Sequence, residues 1–482
     1  MIRLSIKGGL SMKKINKIKQ LFTKPEYVFI VPALFFGLIS TVFIPQLSAN
    51  DENMHFIRSY ELTEGEIGHK CHLPVDIKER AFYQIYAKKP NFSFDKKKID
   101  MSTRIATDCG TATGYNPVLH IPQTLGISLA KIIHPSTGVM ILFGRIANLL
   151  VYCAGLFVII KYARVGKWML VIIGLIPTLL HMASTLSGDV VNNVIILGFI
   201  TYLFNLFTQK EPMARRQVVT LMMFSMFLAT TKPTNAILLF PLLFLPAKII
   251  PRIAIKGKDI PKSLTRLGVA FGVGIIVILV MALWAFIYKD PTIVAAADVN
   301  PVAEKPYRII KILFNTFINP DIIVGGVVYG DWLLRSAVGS FSSFGYHLPF
   351  YLVVMTAVLV VIVGLASNPN EEKMVSKVEV RMPLAMTSTW LIMVVGITYG
   401  LYVSWALRPD MIGPKAQYAY GLQGRYFMPF LILLYPLFIS LRKYIRVHMG
   451  SKYFCSFLIL FFMCSVLAFY TVQTICYGMQ VI

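Results

Sequence analysis

The chain has 482 residues, of which 56% are hydrophobic and 15% charged, and its mean hydropathy is +0.65. That balance excludes a soluble domain, which has no use for so much apolar surface, and fits a bundle of membrane helices. The net charge of +24 does not mark a nucleic-acid binder, because basic residues flanking spans on the cytoplasmic side produce the same total.

In chain order, a basic leader over residues 1–27 carries Arg3, Lys7, Lys13, Lys14, Lys17, Lys19 and Lys24 and is assigned to the cytoplasm. Apolar runs follow at 28–47, 137–160, 168–186, 190–207, 217–230, 235–248, 266–288, 346–366, 384–406, 426–441 and 454–476. At about 20 residues per span these predict an all-α integral membrane protein of about eleven transmembrane helices, within a range of about 10–12. The first run is longer than a signal-peptide core and is read as an uncleaved span. Between the short runs at 217–230 and 235–248 lies Thr230-Thr231-Lys232-Pro233-Thr234-Asn235, which suggests a tight hairpin or a re-entrant pair. Segment 117–134 holds Pro117, His120, Pro122, Gln123 and Lys131, which argue against lipid exposure, so an interfacial or re-entrant helix is expected there.

Short-loop charges set the orientation. The N-terminus falls in the cytoplasm and, with eleven spans, the C-terminus falls outside. The expected organisation is then a basic leader at 1–27 and an N-terminal transmembrane module at 28–288 with a large, partly helical exterior loop at 48–136. A second exterior segment at 289–345 and C-terminal transmembrane helices at 346–482 complete it. Cys71 and Cys109 are the two cysteines outside the apolar runs. On an exterior face they form either a disulfide or a pair of free thiols.

Two exterior motifs carry chemistry. The first is Asn50-Asp51-Glu52-Asn53-Met54-His55, continuing to Arg58, where the first run ends. Ionisable groups beside a bilayer are costly to desolvate and mark chemistry or an ion path more often than packing. In helical register Asp51, His55, Arg58 and Leu62 share a stripe, so acid, imidazole and guanidinium converge. A carboxylate there suits a general base, and a second suits a divalent ion or orients the first. The plainer reading is that Asn50 or Asp51 caps an interfacial helix. The second motif, Tyr420-Gly421-Leu422-Gln423-Gly424-Arg425-Tyr426-Phe427, opens the tenth run from outside. Arg425 offers a fork of donors suited to a phosphate, and Gly421 and Gly424 allow close backbone approach.

Embedded polar groups come third. Arg145 and Asn148 lie in the second run, His181 near the end of the third and Asp189 in the turn after it. Arg145 is expected to face the interior and pair with a carboxylate or a lipid phosphate. Asp189 is either that partner or a cap on the next span, and His181 reads as a hydrogen-bonded structural residue. Asp321, Asp331, Arg335 and His347 are weaker candidates for substrate contact. The chain contains no nucleotide-binding loop, zinc-protease helix or serine-hydrolase elbow.

The string Asp51-Glu52-x-x-His55-Phe56-x-Arg58-x-Tyr60-x-Leu62-x-x-Gly65, with Gln423-Gly424-Arg425-Tyr426-Phe427-x-Pro429 downstream, resembles a family of bacterial multi-pass membrane proteins known as domain of unknown function 2142. In layout that family is similar to the GT-C glycosyltransferases. The resemblance implies a GT-C-like enzyme of the bacterial plasma membrane. Such an enzyme transfers a hexose or pentose, with inversion, from a polyprenyl-phosphate carrier to an envelope glycan or lipid-linked acceptor on the outer face. It implies a catalytic role for Asp51 and Glu52, with His55 orienting a carboxylate, and substrate contacts from Arg58, Arg145, Asp189, Gln423, Arg425 and Tyr426. It leaves open a divalent cation, Mg or Mn, for which Asp51 and Glu52 are the ligand candidates. The implied partners are the bilayer, the lipid-linked donor and the glycan acceptor, with no nucleic acid. The rival classes are a transporter or flippase of lipid-linked sugars and a non-catalytic scaffold of envelope-polysaccharide assembly.

Overall fold

The computed structural model describes residues 23–67, 70–79, 95–108, 116–252, 254–255, 258–288, 301–339, 341, 347–376, 381–448 and 452–481. Helices dominate, and the strands among the described residues form two-stranded ribbons. The chain opens with α1 (Pro25–Phe43), α2 (Glu52–Thr63) and the antiparallel ribbon of β1 (Lys70–Pro74) with β2 (Arg104–Asp108). Then come α3 (Ile121–Ile133), α4 (Thr137–Tyr162), α5 (Lys167–Leu175), α6 (Pro177–Ala183), α7 (Asp189–Thr208) and α8 (Arg215–Ala229). A 3₁₀ segment, Pro233–Phe244, leads to α9 (Lys262–Tyr288), followed by α10 (Arg308–Phe317), α11 (Tyr329–Val338), α12 (Phe350–Leu365), α13 (Pro369–Ser376) and α14 (Arg381–Leu401). A second 3₁₀ segment, Gly424–Leu434, runs into α15 (Tyr435–Leu441), and α16 (Lys452–Val481) closes the bundle.

The protein is a multi-pass α-helical membrane protein, but the expected count of eleven spans is not reproduced. Among the described residues seven helices are long and apolar enough to cross a bilayer: Pro25–Phe43, Thr137–Tyr162, Asp189–Thr208, Lys262–Ile287, Arg381–Ala406, Gly424–Leu441 and Phe454–Cys476. The other four apolar runs are short or broken, and the causes are local. Pro177 lacks an N–H, and Ile176 before it is extended (φ −57°, ψ 127°), so the third run splits into α5 and α6. Pro241 sits within the 3₁₀ segment, while α8 and α12 span only 15 and 16 residues. Segment 117–134 forms a 3₁₀ turn and a 13-residue helix, α3, with one face buried and one exposed. Pro122, Gln123, Gly126, Ile127 and Ala130 of α3 face the protein, and Ile121, Leu125, Leu129 and Ile132 are exposed. Gly126 permits this seat on α4, since a Cβ there would lie 2.4 Å from the Phe143 carbonyl oxygen.

A main core runs through the bundle. A second one, including Phe56, Ile57, Tyr60, Leu73, Ile77, Ile127 and Met140, joins α2 and the residues around β1 to α3 and α4. The candidate disulfide falls on Cys109, which lies outside the described residues.

On the 420s motif, α11 packs so closely that a Cβ on Gly424 would stand 2.1 Å from the Leu333 carbonyl oxygen. Gly424→Ala should therefore lower stability by about 1–3 kcal/mol, the usual scale of overpacking. Gly268→Ala, where nothing lies within 4 Å, should be neutral or slightly stabilising. Thermal unfolding of the two variants in detergent checks the pair.

Candidate functional site

The site is organised by one buried ion pair. Arg145, on α4, donates from Nε to Glu52 Oε1 and from Nη2 to Glu52 Oε2, each at 2.7 Å. Its remaining donors reach the carbonyls of Thr41 (3.2 Å), Ile44 (2.6 Å) and Pro45 (3.0 Å). These include carbonyls at the end of α1 that lack a helical partner, so the guanidinium caps α1 while it holds the first turn of α2. Glu52 Oε1 also accepts from the Leu186 N–H at 3.2 Å. Asn148 Nδ2 donates to the carbonyls of Thr185 and Ser187, and Gln123 Nε2 to those of Leu186 and Ser187. The polar residues inside the second run thus bind the turn between α6 and α7 to the acidic motif.

This corrects two expectations. The partner of Arg145 is Glu52 rather than Asp189, and the guanidinium is turned to protein groups, not to a substrate. Nor does Glu52 join Asp51 as a metal ligand, since both of its oxygens face Arg145. Among the described residues no cluster of three His, Cys, Asp or Glu side chains could hold a metal ion.

With Glu52 drawn inward, Asp51 is turned outward. It precedes α2 in the left-handed region (φ 59°, ψ 10°), makes no side-chain capping bond and is exposed. A non-glycine residue in that region stores strain, which asparagine and aspartate tolerate best. Asp51 lies outside the helical register, so the expected Asp51–His55–Arg58 stripe does not form. His55 is buried and shares a 2.9 Å hydrogen bond between its Nδ1 and His120 Nε2. Burial is the main cause holding both imidazoles below their ordinary range, with Asp51 opposing it at His55. Arg58 is fully buried and faces Glu61 at 3.6 Å, another departure from a substrate contact. Burial, partly offset by Arg58, pushes the Glu61 carboxyl up to about 7.

The two motifs, far apart in the chain, meet in the fold. Asn50 Nδ2 donates to Gln423 Oε1 at 3.4 Å, and Asp51 acts electrostatically on both His55 and Arg425. The 420s loop is held from below: the Tyr329 hydroxyl donates to the carbonyls of Ala419 and Leu422, and the Gly424 N–H donates to Ser336 Oγ at 2.7 Å. Gly421 takes φ +83°, with Trp405 where a side chain would go.

Beside them opens a cavity of about 440 Å³, lined by side chains of α6, α7, the 232–235 turn, α14 and the 3₁₀ segment that starts at Gly424. Its charged residues are Arg425, Lys232 and Asp189. Two cations against one carboxylate leave one positive charge in excess. Lys232 pairs with Asp189 at 2.8 Å, and its ammonium lies 4.5 Å from the centre of the Tyr426 ring. Asp189 thus neither meets Arg145 nor serves as the N-cap of α7, which is Gly188. Arg425 is buried. Its Nη1 lies 3.1 Å from Met182 Sδ, and its Nε has no hydrogen-bond partner among the described residues. Asn192, Asn193 and Asn235 add amides, linked by a 2.9 Å bond from Asn235 to Asn192, and the rest of the wall is mostly apolar.

Of the sequence-predicted residues, Asp189, Arg425 and Tyr426 line the cavity, with Asp51, His55 and Gln423 beside it. Lys232, Asn192, Asn193 and Asn235 were missed. Their signal was two adjacent asparagines in an apolar span and a Lys-Pro-Thr-Asn turn between short runs. His181 is structural as expected, bonded through Nδ1 to the Tyr470 hydroxyl at 2.9 Å. Asp321, Asp331, Arg335 and His347 do not line the cavity, and Arg335 instead packs on the Phe350 ring.

Residues 34–434 match the model of a family described as predicted membrane protein (DUF2142). No curated protein matches the chain, and no solved structure does.

Removing one member of the buried pair leaves the other charge uncompensated. Glu52→Gln or Arg145→Met should each cost roughly 3–5 kcal/mol, and the double variant Glu52→Gln/Arg145→Met less than the sum of the single changes. Detergent melting curves of the wild type and the three variants provide the cycle.

Proposed function

The chain belongs to the family of predicted membrane proteins named DUF2142, and on that premise we propose that it transfers a sugar from a polyprenyl-phosphate carrier to an envelope glycan or lipid-linked acceptor at the membrane surface. The observation that carries this reading is the exposed, strained Asp51 carboxylate standing next to a largely apolar cavity that holds the buried Arg425 and the partly exposed Lys232. A lipid-linked phosphate needs cationic donors at headgroup depth and an apolar path for its chain. Arg425, with an unused Nε, and Lys232 supply the first, and the apolar wall supplies the second.

In the proposed step the acceptor hydroxyl oxygen attacks the anomeric carbon, and its proton passes to the Asp51 carboxylate. The bond from that carbon to the phosphate oxygen breaks, and the phosphate leaves with both electrons. Arg425 and Lys232 stabilise the charge that develops on it. Attack opposite the leaving group gives inversion. The buried His55–His120 pair, neutral at ordinary pH, supports the wall beneath Asp51 without adding a competing charge. Glu52 positions Asp51 by anchoring the next residue to Arg145.

Asp51→Asn should abolish transfer while leaving insertion and melting unchanged, because the side chain makes no capping bond. Arg425→Ala and Lys232→Ala should each reduce transfer by 10²-fold or more, the scale of losing one preorganised donor. Envelope glycan composition and sugar-lipid levels in cells making each variant are the readout. Full decoration in the Asp51→Asn cells would sink the reading.

One observation favours a second reading, movement of the lipid-linked sugar across the membrane. Interrupted helices surround the cavity in both halves of the chain: the break at Ile176–Pro177 and the 3₁₀ segment from Pro233 in one, the π-turn Tyr402–Ala406 and the 3₁₀ segment from Gly424 in the other. Discontinuous helices at a midplane site are a transporter feature. Proteoliposomes loaded with a labelled lipid-linked sugar separate the two, because translocation should survive Asp51→Asn whereas transfer should not.

A further inference from the structure

A second cavity, of about 550 Å³, lies at the far end of the span that begins with Arg425. From Gly424 to Leu441 that span runs as a 3₁₀ segment and then α15. At roughly 2.0 and 1.5 Å of rise per residue it covers roughly 30 Å, about the hydrocarbon thickness of a bilayer. The cavity therefore sits at the opposite membrane surface from Asp51. Its charged lining is Arg442, Lys443, Arg446 and Glu372, with the hydroxyl residues Ser440 and Thr387, and its remaining walls are apolar.

The donors here are only partly satisfied. Arg442 is 2% exposed. Its Nε and Nη2 donate to the Gly364 carbonyl, and Nη2 also to the Tyr435 hydroxyl, which fixes the guanidinium plane. Its Nη1 is buried with no hydrogen-bond partner among the described residues, and it is ion-paired with Glu371 and Glu372 at 3.8 and 3.9 Å, beyond hydrogen-bond reach. Glu371 is held by the Gly166 N–H and the Tyr435 hydroxyl, and Glu372 by Arg446 at 2.9 Å. Thr387 Oγ1 is likewise buried, with no hydrogen-bond partner among the described residues. Three cations facing Glu372, with Glu371 behind, leave a positive balance. Around the mouth, Leu384, Leu437, Leu441, Tyr444 and Ile445 are exposed. One fixed guanidinium with an unsatisfied donor, two exposed cations and exposed apolar side chains at a membrane surface suit an anionic amphiphile headgroup.

We propose that this cavity binds an anionic phosphate group at the membrane surface opposite Asp51, with Arg442 Nη1, Thr387 Oγ1 and Lys443 as donors. The same chemistry is offered by an anionic phospholipid and by a soluble phosphate ester. The proposal is independent of the transfer reaction, which uses the other surface.

The test is thermal stability of the full chain in detergent, titrated with dioleoyl phosphatidylglycerol, dioleoyl phosphatidylcholine or glycerol 3-phosphate. Phosphatidylglycerol should raise the melting midpoint saturably. Lys443→Gln/Arg446→Gln, both exposed positions, should raise its half-saturating concentration tenfold or more. Thr387→Val, which keeps every charge and nearly the same shape, should raise it at least threefold. Arg425→Ala should leave it unchanged. Response to phosphatidylglycerol alone assigns the site to a lipid headgroup, and an equal response to glycerol 3-phosphate assigns it to a soluble phosphate. Equal stabilisation by phosphatidylcholine, no stabilisation by any of the three, or an unchanged half-saturation in both cavity variants overturns the proposal.

Discussion

The Glu52–Arg145 pair is the constraint from which the rest of the site follows. A guanidinium inside an apolar helix is tolerable only if its donors are satisfied, and here two bonds go to one carboxylate and three to carbonyls around the end of α1. Those bonds fix the path of residues 41–52 in three dimensions. One consequence is that Glu52 faces inward and Asp51, its neighbour, takes a left-handed backbone with its carboxylate outside. Another is that Asn50 is carried to Gln423, which ties the two motifs together.

The cavity next to Asp51 depends on a different physical device, the broken helix. A continuous α-helix satisfies its own backbone and offers a ligand only side chains, whereas the 3₁₀ segments, the π-turn and the break at Pro177 change the direction of each wall. These bends let residues from five elements face one volume of about 440 Å³. Charge within it is partly compensated, with one positive charge in excess. Asp189 holds Lys232, Tyr426 faces both cations, and Arg425 keeps an unsatisfied donor. A fixed, partly satisfied cation in a poorly solvated wall interacts more strongly with an entering anion than the same cation in water does.

The two ends of the span from Gly424 to Leu441 are built from the same chemistry with different partners. At one, Arg425 stands at the start of the span near the exposed Asp51 carboxylate. At the other, Arg442 stands just past the end of the same span beside carboxylates already engaged by Gly166, Tyr435 and Arg446.

Composition, hydropathy and short-loop charge were enough to establish a multi-pass helical membrane protein, because burial in lipid imposes long apolar runs whatever the packing. The acidic motif, the Arg425 motif and the amphipathic helix at 121–133 were legible for the same reason, as polar groups too costly to place at a bilayer without a purpose. The number of continuous spans was not legible, since Pro177 breaks a run that hydropathy alone reads as whole and the run holding Pro241 forms only a 12-residue 3₁₀ segment. Nor was the pairing of charges. Glu52 and Asp189 are both carboxylates near Arg145 in a one-dimensional reading, and only packing brings Glu52 within 2.7 Å of it and Asp189 within 2.8 Å of Lys232. The sequence determined which groups had to be satisfied. Tertiary structure decided which partner satisfied each, because that choice depends on distances between helices that no local pattern encodes.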